Sequence, residues 1–202
     1  MRFSSPLFFG CPAEFLGGSA LLKVFCPNEM TGSLLDIDLN ALAAQGIKAL
    51  IIDLDNTLMG WDAEQITSQI KKWVQMVKAK GFRICIASNG LSNRVKRIAA
   101  ELDVPAVPKA IKPRKRPFRL ALRLLNTRSD QTAVIGDQVF TDILGGNRMN
   151  CYTILINPIS RKELRSTRFM RRVERRILRR LHKKGLVQDK SYRQRLGIYK
   201  RD

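Results

Sequence analysis

Two hydrophobic rhythms alternate along the chain: short continuous apolar runs, and longer stretches in which apolar residues recur every three or four positions. The runs read as five strands, over Lys48 to Leu54, Arg83 to Ala87, Ala106 to Pro108, Thr132 to Ile135 and Tyr152 to Ile156. Between the first two, the spacing predicts a helix over Ala63 to Lys80, with Ile66, Ile70, Trp73, Val74 and Val77 inward and Gly81 closing it. Further helices are predicted over Ser92 to Leu102, with Val95, Ile98 and Ala99 inward, over Arg116 to Leu125, and over Thr141 to Met149. Asp38 stands where it can cap a short helix that runs through Gln45 and ends at Gly46. Strands alternating with helices imply an α/β fold, a parallel sheet flanked by helices and joined by right-handed crossovers.

In such a sheet the ends of the strands gather the chemistry. The first strand runs into Asp53-Leu54-Asp55-Asn56-Thr57, two carboxylates one residue apart at the start of a turn. One can act as nucleophile and metal ligand, the other as general acid and base. The second strand ends in Ser88 and Asn89, the third is followed by Lys109 and Lys112, and the fourth by Gly136-Asp137 with Asp142 beyond. Taken singly, Ser88-Asn89-Gly90 is ordinary loop and cap chemistry, Asp142 suits a helix cap, and Asn56 suits a turn. Four strand ends in succession, each with a useful group, point instead to one active site.

The ordered set resembles the haloacid dehalogenase-like phosphohydrolases over roughly Leu39 to Ile159. Asp53 to Thr57 is similar to the first motif of that family, Ser88-Asn89 to the second, Lys112-Pro113 to the third, and Gly136-Asp137-Gln138-Val139-Phe140-Thr141-Asp142 to the fourth. The resemblance implies a Rossmann-like core and a division of labour. Asp53 would attack phosphorus and form an aspartyl-phosphate; Asp55 would protonate the leaving oxygen and then help to activate water. Ser88, Asn89 and Lys112 would bind the phosphoryl group. Mg²⁺ would be held by Asp53, the backbone carbonyl of Asp55 and Asp137, with Asp142 as a direct ligand or a support. The intervals between motifs hold 30 residues from Thr57 to Ser88 and 22 from Asn89 to Lys112, too few for the cap domain that many members insert there. An open site suits phosphates on large molecules. Leu39 to Trp61 and Gly136 to Ile156 further resemble the YqeG group of type IIIA phosphatases, which is similar to the mitochondrial and plastid phosphatidylglycerophosphate phosphatases. That kinship implies a lipid phosphomonoester substrate and phosphatidylglycerol synthesis; other bulky phosphomonoesters, a phosphoprotein or a nucleic acid end, are the alternative.

Charge adds a second theme. The net charge is +20, and residues 161–202 carry 17 Lys and Arg against 4 Asp and Glu. Three regions follow: an N-terminal extension over 1–38, a capless core over 39–160, and a basic amphipathic helical tail over 161–202. In the tail, Phe169, Val173, Ile177 and Leu181 form an apolar stripe, widened by Met170 and Leu178 and surrounded by arginines. Such a helix suits an anionic phospholipid surface, packing on the domain, or RNA; with RNA binding the phosphatase site would be secondary. No run reaches the roughly 18 apolar residues of a membrane span, so a peripheral membrane location in the cytoplasm or an organelle interior is expected. Leu7-Phe8-Phe9-Gly10-Cys11 faintly resembles a lipoprotein cleavage site, after too short a leader. The four cysteines form no Cys-x-x-Cys pair, Cys85 reads as a buried thiol, and the lone His182 reads as solvated.

Overall fold

The structure, a computed structural model, describes residues 20–160, 165–187, 192–193 and 195–197. Cys11, Tyr199 and the side chains of Arg165, Arg168 and Phe169 lie outside the described residues.

Six parallel strands form one sheet: β1 (Glu29–Thr31), β2 (Ala49–Ile52), β3 (Arg83–Ala87), β4 (Ala106–Val107), β5 (Thr132–Gly136) and β6 (Tyr152–Ile156), in the order β1-β6-β5-β2-β3-β4. The helices are α1 (Ala20–Lys23), α2 (Leu39–Ala44), α3 (Ser68–Ala79), α4 (Ser92–Glu101), α5 (Lys115–Leu124), α6 (Leu144–Asn147) and α7 (Arg165–Lys183). The sequence pattern gave five strands. The sixth, β1, comes from the stretch read as an N-terminal extension, where Leu34 and Ile37 also join the core. It is three half-buried residues at a sheet edge, too short to show a rhythm.

Alternation along the strands divides the core. Leu50, Ile52, Ile84 and Ile86 pack on one face with Trp73 and Val77 of α3 and Val95 and Ile98 of α4. Ala49, Ile51, Cys85 and Val134 pack on the other with Phe118 and Ala121 of α5. Burial pushes the Cys85 thiol up to about 12, as a plain core thiol requires. The helix α3 starts later than expected because Thr67 caps it, its Oγ1 accepting from Ile70 N–H at 3.3 Å. The intervals between Thr57 and Ser88 and between Asn89 and Lys112 hold only α3, β3, α4, β4 and their loops, so neither interval inserts a cap domain.

The tail helix α7 packs on the core. Leu178 and Leu181 are buried with Val139, Ile143, Leu155 and Tyr192, and Ile177 packs beside them. The buried face differs from the expected stripe: it runs Arg171, Glu174, Leu178, Leu181, a three-four-three spacing, while Met170 is exposed and Val173 and Ile177 are only half-buried. Of the expected stripe the domain covers Leu178 and Leu181, and the face left outward carries Arg172, Arg176, Arg179, Arg180 and Lys183. His182 is not simply solvated either; its ring stacks on Tyr192 with centroids 4.1 Å apart. Among the described residues no helix is long and apolar enough to cross a membrane.

Candidate active site

Asp53 leaves the end of β2 still in register with β5, its N–H donating to Ile135 O at 3.0 Å. The chain then folds back on itself. The N–H groups of Leu58 and Met59 return to Leu54 O, and Asn56 takes a left-handed φ of 62°, which asparagine tolerates better than most residues. This tight turn keeps Asp53 and Asp55 at the mouth of the sheet. Asp137 follows Gly136 at the end of β5. A Cβ on Gly136 would lie 2.2 Å from Asp142 Cγ, so the glycine makes the space that Asp142 fills. Asp142 itself sits in a π-helical segment, Val139–Ile143, ahead of α6. Gln138 N–H and Thr141 Oγ1 both donate to its Oδ2, at 3.2 Å each.

These elements bring Asp53, Asp137 and Asp142 together, each with a carboxylate oxygen within 4.8 Å of the others, and all three are buried. Lys112 projects among them. Its Nζ donates to Asp53 Oδ1 and to Asp142 Oδ1, at 2.6 Å each. Lys109, the alternative, is exposed and takes no part. Burial alone would lower the Lys112 pKa, but the Asp142 and Asp53 carboxylates outweigh it and hold it above its usual value, so the ammonium stays charged. Burial pushes Asp53 well above the usual carboxylate range; Lys112 pulls it back, and Asp142 and Asp137 add to the rise. Asp137 is raised to about 6, again chiefly by burial, with Arg171 opposing.

Asp55 turns elsewhere. Its Oδ1 is ion-paired with Arg94 of α4, and its Oδ2 accepts from Ser88 Oγ at 3.3 Å. Its carboxylate is outside the three-acid cluster, which leaves only its backbone carbonyl for a metal. Ser88 is fully buried and its Oγ also accepts from Gly90 N–H at 2.9 Å. Asn89 Oδ1 accepts from Lys112 N–H at 2.8 Å, so asparagine fixes the loop that carries the lysine.

Four residues at the site escaped the sequence reading. Arg94 holds Asp55 and donates to Gly60 O and Ala63 O, at 3.0 and 3.2 Å. Arg171 of α7 is ion-paired with Asp137 Oδ2 and donates to Asp137 O at 2.6 Å. Arg195 donates to Asp137 O and to Ile156 O. Glu174 accepts from both arginines, from Arg195 Nη2 at 2.8 Å and from Arg171 Nη1 at 3.2 Å.

Asp137 Oδ1 is buried and has no hydrogen-bond partner among the described residues. Leaving such an oxygen unsatisfied is costly. An all-oxygen set of three carboxylates that includes a buried, unpartnered oxygen fits a hard divalent cation such as Mg²⁺, which prefers few carboxylates and completes its shell with water and phosphate.

The haloacid dehalogenase-like hydrolase family matches residues 33–150. The chain is 39% identical over 168 residues to the probable phosphatase YqeG of Bacillus subtilis, covering 83% of this chain and 98% of that protein. It is 29% identical over 170 residues to the chloroplastic and mitochondrial phosphatidylglycerophosphate phosphatase 1 of Arabidopsis thaliana, covering 79% of this chain and 49% of that one. Among solved structures it is similar to the cobalt-bound deoxy-D-mannose-octulosonate 8-phosphate phosphatase of Haemophilus influenzae, with a TM-score of 0.46, 16% identity, and coverage of 67% of this chain and 89% of that one. Sequence match and strand-end chemistry agree, and the chain belongs to the haloacid dehalogenase-like hydrolases, as a phosphatase whose acidic cluster suits a divalent cation.

Proposed function

We propose that the protein is a Mg²⁺-dependent phosphomonoester hydrolase that works through an aspartyl-phosphate on Asp53, with phosphatidylglycerophosphate as substrate at a membrane surface. The observation that carries the chemistry is Asp53 itself. Lys112 occupies its Oδ1, and Oδ2 has no hydrogen bond among the described residues, which suits it to approach phosphorus. When bound, Mg²⁺ would be held by Asp53, Asp137 and Asp142 and would neutralise phosphoryl charge. Lys112 supplies a second, fixed positive charge beside the nucleophile, where negative charge gathers during transfer. Asp55 moves the protons. A guanidinium is donor-only, so Asp55 carries a proton on Oδ1 only after Arg94 swings aside; on Oδ2 it needs only Ser88 to accept rather than donate.

The lipid substrate is supported by the similarity to the Arabidopsis phosphatase and by the absence of a cap. It is also supported by the rim. Leu91, two residues past Asn89, is 77% exposed, and Ile111, next to Lys112, is 59% exposed. Lys109, Arg114 and Lys115 are exposed beside them. Apolar tips among cations match the boundary between acyl chains and anionic headgroups. The outward face of α7 carries further positive charge that suits an anionic surface.

The test is phosphate release from phosphatidylglycerophosphate in mixed micelles with Mg²⁺, wild type against Asp53→Asn. Turnover abolished by the substitution supports both chemistry and substrate. Hydrolysis of an aryl phosphate alone, lost in Asp53→Asn, keeps the phosphatase and discards the lipid. Activity on neither sinks the proposal.

A further inference from the structure

The family match ends at residue 150, yet three residues beyond it, Arg171, Glu174 and Arg195, are buried against the acidic cluster. Buried arginines are rare and need partners. Here both arginines reach Asp137, which is gripped at two places. Arg171 engages Asp137 through both its side-chain Oδ2 and its backbone carbonyl, and Arg195 adds a second donor to that carbonyl. Glu174 lies between the two guanidinium groups and holds them in register. Arg195 is tied to β6 as well, through Ile156 O.

The consequence lies on the far side of the carboxylate. With Oδ2 fixed by Arg171, the Asp137 carboxylate cannot rotate freely, and Oδ1 is left buried and without a partner beside Asp53 and Asp142. Charge alone does not explain the arginines: Asp53, Asp137, Asp142 and Glu174 bring four formal negative charges against three positive from Lys112, Arg171 and Arg195, which leaves the cluster net negative for a cation, and what Arg171 adds to binding is the fixed orientation of Asp137.

We infer that the C-terminal segment is part of the metal site: Arg171, braced by Glu174 and Arg195, is a positioning residue that presents Asp137 Oδ1 to the divalent cation. Arginine is required because only its planar fork reaches Oδ2 and the carbonyl together; a lysine brings a single point charge. This rests on the reading of the cluster as a divalent-metal site and is independent of the lipid substrate.

The experiment is Mg²⁺ binding to the full chain by isothermal titration calorimetry, below the melting temperature of every variant, with no substrate present. Arg171→Met is expected to weaken binding at least tenfold, and Arg171→Lys at least threefold. Leu178→Ala, which loosens the same helix without touching Asp137, is expected to lower Tm and leave Mg²⁺ affinity within twofold of wild type. If Arg171→Met does not fold, Arg171→Lys carries the test. Wild-type affinity in Arg171→Lys, or an equal loss in Leu178→Ala, would overturn the inference, reducing the clamp to general stabilisation. A wild type that binds no Mg²⁺ would remove the metal site and the clamp's role together, whatever the aryl phosphate assay shows.

Discussion

Lys112 Nζ stands 2.6 Å from Asp53 Oδ1, with both groups buried at the ends of neighbouring loops. Both side chains are buried, where a charge is felt more strongly than in water. Replacing it with methionine keeps most of the volume and removes the charge. Lys112→Met is expected to lower kcat for aryl phosphate hydrolysis by about a hundredfold to a thousandfold, the size of losing one preorganised electrostatic contact. Steady-state kinetics with saturating Mg²⁺ check this; an unchanged kcat would remove Lys112 from the reaction.

Asp53→Asn is expected to have opposite effects on activity and stability. Turnover should vanish with the nucleophile. The fold disfavours the ionised Asp53 carboxylate, so a permanently neutral side chain of the same shape should be better tolerated. In EDTA at pH 8 the variant is expected to melt above wild type, as read by scanning fluorimetry. A lower Tm would mean that the ion pair with Lys112 outweighs burial.

Asp137 gives a pH dependence with a definite sign. Its carboxyl is raised to about 6 in the folded protein from 3.8, with Arg171, Asp142, Arg195 and Glu174 facing it. The folded state thus holds a proton that the unfolded chain has released, and this contribution is complete below about pH 4 and lost as pH rises through about 6. Without metal, stability should fall over that window by up to about 3 kcal/mol from this group. Urea denaturation in EDTA at several pH values measures it, and the slope should flatten in Asp137→Asn. Mg²⁺ added above pH 6 should recover stability, because the cation takes the place of the proton.

Gly136→Ala tests the packing beneath the site. The added methyl would meet Asp142 Cγ and Oδ2 at 2.2 Å and Cβ at 2.5 Å, so the Asp142 side chain must shift. We expect a loss of about 1–3 kcal/mol, the usual size for overpacking, together with weaker Mg²⁺ binding. Gly81→Ala is the control: its φ of 86° strains an alanine, but nothing lies within 4 Å of the new methyl and the site is distant, so only stability should change.

The core was legible in the sequence for a physical reason. Each of the five strands found from pattern is a run of apolar residues that must be buried, and four of them lead to a polar site residue at the same edge of the sheet. Asp53, Ser88, Lys112 and Asp137 were therefore placed by the rhythm that built the strands. Arg94 and Arg171 had no such rhythm to reveal them. Arg171 sits in a run of arginines, and residue type cannot tell one turned inward from neighbours turned outward. One signal was present. Glu174 is the lone acid of α7, three residues after Arg171, and it precedes Leu178 and Leu181 by four and seven, the spacing of a single helix face. Reading hydrophobicity alone selected a stripe through Phe169 and Val173 instead, because a buried ion pair looks polar in sequence. The strand β1 escaped because an edge strand of three half-buried residues carries almost no pattern.

The grip of Arg171 and Arg195 on Asp137 also has a meaning in time. A chain is made from its N-terminus, and every motif of the phosphatase has been synthesised by residue 142. The side chains that brace Asp137 arrive some thirty to fifty residues later. A growing chain, or one clipped in the tail, would carry all four motifs in the right order and still lack the brace. Completeness of motifs and completeness of the site are, for this protein, different moments.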